Sequence, residues 1–384
     1  MFREPGKLDG ARKGVNFAAF AVALLVAAAC GRPLRPVPPL QPSGDWPTVL
    51  GNAQRAGFAA ERVPEAPEEV WRVDIGRGLM TPLLAEGPVV IATTANRMVA
   101  VLDAETGEHY WEKRLDGPVT GGVVRRGTRL IVASEDRNGK AYALGLERGR
   151  TAWDRTIGAS PFPPLIVEGA VYFATARGEL VALGVEDGDE LWRTRLRGSA
   201  ASTPVHHGDG ILVATVRDTL YRLDRASGRI TARAPLPATV SAAPALIGDT
   251  LYLPFQTGDL VAYRLPGLEE LWRAPFGAPI LAAPIAGPDG SLYVLNRNAE
   301  VWRVRPGARA GERIASLDGA ARASLAVAQD RLLVGRLDGK LFLLEADGRV
   351  VWEREFDDSI VAPVTVADGA LYVPLLGGTI VKLR

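Results

Sequence analysis

Cysteine is almost absent from this chain of 384 residues, in which Cys30 is the one thiol. An internal disulfide framework and a structural zinc site built on several thiolates are therefore excluded. Neither sign of charge is in excess, since 45 lysines and arginines stand against 44 aspartates and glutamates. No block of basic residues could track a phosphate backbone, so nucleic acid is not expected as a partner.

Motifs for catalysis are missing as well. The sequence contains no GxSxG nucleophile elbow, no phosphate-binding loop and no HExxH zinc pair. Of the three histidines, His206 and His207 are adjacent, and on a strand their side chains would point to opposite sides. Joint metal ligation is therefore not expected, and we predict neither catalytic residues nor metal ligands.

Long apolar runs are lacking, apart from one near the N-terminus. Residues 1–14 carry four basic side chains and precede an uncharged stretch of 16 residues from Val15 to Cys30. A bilayer-spanning helix needs roughly 20 residues, and this stretch ends in small residues of the kind that signal peptidases accept. We expect a secretory signal peptide at residues 1–29, with an uncleaved anchor as the alternative.

The position of Cys30 gives this segment a further meaning. Cys30 directly follows three alanines, and the arrangement resembles the lipobox of bacterial lipoproteins. The resemblance implies that Cys30 is lipidated and anchors the mature chain at the periplasmic face of the outer membrane, while anchoring in the inner membrane stays open. Residues 30–48 are rich in proline and predict a semi-extended tether without a core of its own.

Self-similarity is the strongest signal in the remainder of the chain. Short apolar stretches recur at intervals of 39 to 42 residues and define eight registers. These registers contain Pro82, Gly122, Pro164, Pro204, Pro244, Pro284, Ser324 and Pro363. Strand-like runs fill each interval without a sustained 3.6-residue period. Four strands per repeat at this period predict an all-β fold, an eight-bladed β-propeller of four-stranded antiparallel blades over residues 49–384.

A tryptophan marker keeps the same period. It opens the last strand of six repeats, at Trp71, Trp111, Trp153, Trp192, Trp272 and Trp352. We expect Ala232 and Ala315 at this register in the other two repeats. Because truncating a buried tryptophan costs about 3–5 kcal/mol, we interpret these residues as structural positions that pack between blades. A charged residue follows each tryptophan, which predicts that the charges face solvent.

The two ends of the repeat region predict how the ring closes. Residues 69–76 form a tryptophan strand with no repeat before it, whereas the last repeat stops at residues 378–384 without one. We expect the first strand to complete the last blade, because this pairing removes a free edge from the ring.

Two stretches, GELVALGVEDGDELW and GRVVWEREF, resemble the pyrroloquinoline-quinone-like repeat, in which an aliphatic strand and a turn glycine precede tryptophan. With the lipoprotein signal and the eight registers, the chain is similar to the BamB family of outer-membrane assembly lipoproteins. The resemblance implies a noncatalytic periplasmic scaffold without a cofactor, monomeric within a complex. Such a scaffold docks on BamA and aids the insertion of outer-membrane proteins.

The segment LRGSAASTP at residues 196–204 follows the fourth tryptophan and is similar to a family loop that docks on BamA. The resemblance assigns Leu196 as an apolar anchor and Arg197 as the donor of a charge-assisted hydrogen bond. Exposed strand edges are expected to hold unfolded outer-membrane proteins by strand addition.

Two other functions stay open: an oxidoreductase that uses pyrroloquinoline quinone (PQQ), and an unrelated envelope propeller that binds proteins. Quinoprotein dehydrogenases are similar in their repeats, but they carry an adjacent cysteine pair and a calcium ion. The single cysteine of this chain therefore disfavours the oxidoreductase.

Overall fold

The computed structural model describes residues 36–38, 40, 58–59, 61–216, 219–322, 325–329 and 331–384. The expected signal peptide and Cys30 lie outside these residues. The compact unit that contains the described residues spans Leu34–Arg384. Its regular elements are all β-strands, and none of the described residues belongs to a helix that is long and apolar enough to cross a membrane.

The strands are numbered in chain order. Two of them precede the blades, β1 (Phe58–Ala59) and β2 (Glu69–Asp74). Blades 1 and 2 contain β3 (Leu84–Glu86), β4 (Val89–Thr93), β5 (Met98–Asp103), β6 (His109–Arg114), β7 (Val123–Arg126), β8 (Arg129–Ala133), β9 (Lys140–Gly145) and β10 (Thr151–Thr156). Blades 3 and 4 contain β11 (Leu165–Val167), β12 (Ala170–Ala174), β13 (Glu179–Gly184), β14 (Glu190–Arg195), β15 (Val205–His207), β16 (Gly210–Thr215), β17 (Thr219–Asp224) and β18 (Ile230–Pro235).

The second half of the chain repeats this arrangement. Blades 5 and 6 contain β19 (Ala245–Ile247), β20 (Thr250–Pro254), β21 (Asp259–Arg264), β22 (Glu269–Pro275), β23 (Ile285–Ala286), β24 (Leu292–Leu295), β25 (Glu300–Val304) and β26 (Glu312–Ser316). Blades 7 and 8 contain β27 (Leu325–Ala328), β28 (Arg331–Gly335), β29 (Lys340–Glu345), β30 (Val350–Glu355), β31 (Thr365–Ala367), β32 (Ala370–Pro374) and β33 (Thr379–Leu383).

Each blade is an antiparallel sheet whose four blade strands pair in order. The first strands of neighbouring blades contact one another, so they surround the axis and the fourth strands lie outermost. The predicted eight-bladed propeller is confirmed. Its hydrophobic core consists of eight clusters, each built from two adjacent blades.

The closure of the ring is also as predicted. Strand β2 pairs antiparallel with β33 as the outermost strand of blade 8, with Trp71 opposite Lys382. The buried ammonium group of Lys382 donates to the backbone oxygen of Ala104 and to the carboxylate of Glu105, both at 2.8 Å. Because Ala104 and Glu105 belong to the turn after β5, these bonds tie the last blade to the first.

The marker tryptophans lie between blades. In four of them the indole N–H donates to a backbone oxygen in a turn of the next blade, at 2.6–3.2 Å. A glycine of that same turn packs so closely against the indole that a Cβ at this position would lie only 2.5–2.9 Å from the ring. The four pairs are Trp71 with Gly107, Trp111 with Gly149, Trp153 with Gly188, and Trp192 with Gly228.

The two repeats without a marker tryptophan differ from each other. Ala232 lies at the marker register, opposite Arg222 in the ladder. Next to it, in the turn of blade 5, Leu268 occupies the glycine position with a φ of 66° and is buried together with Leu265. The expectation for Ala315 is wrong: it pairs with the second residue of β25, Val301, whereas the marker residue pairs with the fourth residue of the third strand.

Every outermost strand contains a β-bulge where it pairs with the third strand of its blade. A bulge leaves one residue out of the ladder and increases the local twist, which prevents a long flat edge from forming. In β14 the unpaired residue is Leu191, and its side chain is exposed. The charged residues that follow the six marker tryptophans are exposed.

Two contacts of the N-terminal region were not expected. Strand β1 pairs parallel with β27, the innermost strand of blade 7, so the chain runs beside the axis before it reaches β2. Val37 is buried in the cluster between blades 1 and 2, with Leu40 packed against the same cluster. This part of the expected tether therefore packs on the propeller, because its apolar side chains find a place in an interblade groove.

Candidate functional site

The candidate site lies on the face of the propeller that carries the connections between consecutive blades, here called the Arg197 face. The turns between the second and third strands lie on the same face. In each blade, a backbone N–H of that turn donates to a carbonyl of the preceding connection, at 2.8–3.2 Å. One example joins Val216 to Ser199, two residues beyond Arg197. The rim of this face is thus a closed hydrogen-bonded ring.

The residues before Arg197 belong to strand β14. Trp192 is half-buried, donates its indole N–H to the Arg225 oxygen at 3.0 Å and packs against Tyr172. Arg193 is held by two ion pairs, to Glu190 at 2.8 Å and to Glu179 at 2.9 Å. The hydrogen bond that Arg193 donates to the Glu190 carboxylate raises the pKa of Arg193 above its ordinary value. The side chains of Trp192 and Arg193 therefore already have partners within the propeller.

Leu196 does not have the accessibility that its predicted role needs. Its side chain is 6% exposed and belongs to the cluster between blades 3 and 4. Its backbone N–H donates to the Gly178 oxygen at 2.7 Å. The expectation of an apolar anchor at Leu196 is therefore corrected, because this side chain fills the core and is not offered to a partner.

Arg197 is oriented differently. Its backbone N–H donates to the Tyr221 hydroxyl at 3.3 Å, while its side chain is exposed. No other described residue forms an ion pair or a side-chain hydrogen bond with its guanidinium. The apolar neighbour on this rim is Val216, which is 45% exposed and was not identified from the sequence. Arg197 and Val216 together present a cation and an apolar side chain on adjacent blades.

An axial cavity of about 700 Å³ opens on the same face. Residues just before the innermost strands line it, and so do residues of the turns between second and third strands. Most of the lining is apolar, including Met80, Phe162 and Leu337. Arg297 and Arg322 are the charged side chains among the described residues that line it.

The histidines do not converge on a common centre. His206 bonds to the Gly208 oxygen at 2.7 Å, and His207 contacts the Asp249 carboxylate at 2.8 Å. Burial lowers the pKa of His206. His109 lies apart, 3.5 Å from Glu112. In the part of the chain that the structure describes, no three histidine, cysteine or acidic side chains form a group suited to a metal ion.

Known proteins resemble the chain over most of its length. A family model described as outer membrane protein assembly factor BamB matches residues 63–157, 137–287 and 288–383. The chain belongs to this family. A curated BamB of Burkholderia pseudomallei is 26% identical over 80% of this chain and 85% of its own length.

Two solved structures share the fold of this BamB-family chain. BamB from Moraxella catarrhalis has a TM-score of 0.69 at 16% identity, covering 83% of this chain and 99% of its own. Quinohemoprotein alcohol dehydrogenase from Comamonas testosteroni has a TM-score of 0.72 at 12% identity, covering 90% and 81%. At these identities the likeness concerns the fold alone.

The second neighbour raises the question whether the axial cavity suits PQQ with calcium. Arg297 and Arg322 could pair with carboxylates of a quinone. However, no aspartate or glutamate is among the described residues that line the cavity, whereas calcium requires oxygen ligands such as carboxylates. These described lining residues also include no tryptophan on which a planar cofactor could stack. The residues present therefore do not fit the quinone and its metal ion.

Proposed function

We propose that this protein is a noncatalytic scaffold of the outer-membrane assembly machinery, held at the periplasmic face of the outer membrane by a lipid on Cys30. Membership of the BamB family supports an assembly role, since the curated relatives that match most of the chain are named as outer-membrane assembly factors. The observation that carries the docking part of the proposal is the exposed guanidinium of Arg197, which lies on a hydrogen-bonded rim and is paired with no other described residue.

In the proposed contact, Arg197 donates a charge-assisted hydrogen bond to a carboxylate or carbonyl of a BamA-type protein. Val216 takes the apolar role that the family resemblance assigned to Leu196, because Val216 is exposed and joined by its backbone to the connection that carries Arg197. A rim already fixed by hydrogen bonds loses little conformational freedom on binding, which favours affinity.

Unfolded outer-membrane proteins remain the proposed clients. The bulges bear on how such clients would bind, because each outermost strand offers only a short uninterrupted edge. Strand addition at these edges would therefore involve a few residues at a time.

Crosslinking in membranes, followed by mass spectrometry of the captured partners, tests the docking proposal. We expect Arg197→Glu to reduce recovery of the BamA-type protein by about tenfold, because the substitution reverses a charge at the contact. Arg114→Glu is the matched control. Arg114 is also exposed and ends the outermost strand of blade 1, and its guanidinium has no ion pair or side-chain hydrogen bond with another described residue.

Unchanged recovery with Arg197→Glu would show that this rim does not dock. Equal loss with Arg114→Glu would attribute the effect to net charge instead of position.

A further inference from the structure

We propose that the axial cavity of the Arg197 face binds an extended acidic segment of another polypeptide, one in which carboxylates alternate with apolar side chains. The inference does not depend on docking through Arg197, since the cavity lies at the axis and has its own lining.

Two repeat positions build the wall of the cavity. One lies two residues before the register proline, where other blades place Met80, Phe162 and Val361. Arg322 occupies this position in blade 7. The other is the second residue of the turn between the second and third strands, where Gln256 and Leu337 line the cavity in blades 5 and 7. Arg297 occupies it in blade 6.

Arg297 and Arg322 lie side by side on the wall of the cavity. They belong to adjacent blades, and the N–H of Ala321, next to Arg322, donates to the Arg297 oxygen at 3.0 Å. Both side chains are exposed, and neither guanidinium has an ion pair or side-chain hydrogen bond with another described residue. One side of the cavity therefore carries two uncompensated positive charges.

Nearby carboxylates do not neutralise these charges. Glu300 is paired with Arg313, and Asp338 with Arg336. Asp318 lies on the connection before Arg322 but does not line the cavity. Charge complementarity thus calls for an anionic occupant.

The remaining lining favours a polypeptide. Apolar side chains such as Met80 and Leu337 are partly exposed at the cavity, while the polar groups are mainly neutral hydroxyls and an amide. A small rigid anion would use the two arginines but leave this apolar ring without a partner. An extended chain supplies carboxylates for the arginines and apolar side chains for the ring, since its neighbouring residues point in opposite directions.

Fluorescence anisotropy with the full mature protein tests this site. The probe is a labelled peptide in which leucine alternates with aspartate, and the reference peptide carries asparagine in place of aspartate. We expect the acidic peptide to bind at least about tenfold more tightly than the reference, with affinity falling as salt rises. The double variant Arg297→Gln/Arg322→Gln should lose about tenfold in affinity for the acidic peptide.

Arg177→Gln is the matched control. Arg177 lies in the corresponding turn of blade 3, one position further along, and does not line the cavity. Binding should be unchanged in this variant. Thermal unfolding should be unchanged in the double variant, because Arg297 and Arg322 are exposed and have no side-chain partner among the described residues. It should change little in Arg177→Gln, which loses one exposed hydrogen bond to the Arg137 oxygen.

Several outcomes would overturn the proposal. These are no binding of the acidic peptide, equal binding of the two peptides, and equal binding by the double variant. Citrate or PQQ binding more tightly than the peptide and displacing it would assign the cavity to small carboxylates. A photo-crosslinker at position 337 that captures only residues 41–57 of the same chain would assign it to the protein itself. Because a BamA-type partner is not used, failure here leaves the docking proposal untouched.

Discussion

The interface between blades 1 and 2 and the interface between blades 4 and 5 are filled by different residues. In the first, Trp111 is 2% exposed, donates to the Leu146 oxygen at 2.6 Å and packs against Gly149. In the second, Ala232 stands at the tryptophan position and Leu268 at the glycine position. At the first interface, a large marker residue on one blade faces a small turn residue on the next blade. At the second interface, the marker residue is small and the turn residue is large.

This comparison shows that the marker and the glycine are coupled across an interface and not within one repeat. In the sequence, the glycine stands four residues before the next tryptophan, so the two resemble a single motif. In the folded protein, Gly149 contacts the tryptophan of the preceding repeat, Trp111. The large and the small side chain are therefore exchanged between these two interfaces so that both are filled, as close packing requires.

The largest expected effect comes from breaking the tryptophan interface. We expect Trp111→Ala to lower the free energy of unfolding by about 3–5 kcal/mol, because it leaves a cavity and removes the partner of the Leu146 oxygen. Urea denaturation measures this loss. Val350→Ala, at an exposed site of blade 7, should change stability by no more than about 0.5 kcal/mol. A loss of less than about 1 kcal/mol for Trp111→Ala would mean that the indole does not support the ring.

A smaller effect is expected from converting one kind of interface into the other. Ala232→Trp alone should cost about 1–3 kcal/mol, because Leu268 already fills the space. Adding Leu268→Gly should recover part of that loss, since glycine accepts the positive φ and makes room for the indole. The double-mutant cycle should give a coupling of about 1 kcal/mol or more. Strictly additive effects would contradict the coupling across the interface.

Much of the fold could be predicted from the sequence because each blade repeats the same pattern of short apolar strands, turns and marker residues. The period, the four-stranded units and the closing pair of Trp71 with the last strand followed from short apolar runs and their spacing. Ala315 was misplaced because the bulge of blade 6 lies beside Val301, nearer the turn between β24 and β25 than the bulges of the other blades. The spacing of residues along the sequence does not show where a bulge occurs. The parallel pairing of β1 with β27 had no sequence signal, because two residues carry no periodicity.

The candidate site was less predictable. The repeat pattern could have indicated that Leu196 is buried. Leu115 and Leu236 stand at the same distance after their marker positions, and both are buried. Val216 was missed because its exposure depends on which turn meets the Arg197 connection, a property of the assembled ring. The axial cavity likewise depends on positions from many blades, so its two arginines were not evident along the chain.

The most direct test of the docking account is site-specific photo-crosslinking in membranes from position 216, compared with position 350. The two valines have similar exposure, 45% and 40%, but Val350 lies on the outermost strand of blade 7 and Val216 on the Arg197 face. We expect a crosslinker at position 216 to capture a BamA-type protein and one at position 350 not to capture it. Capture from position 350 alone, or equally from both, would contradict it.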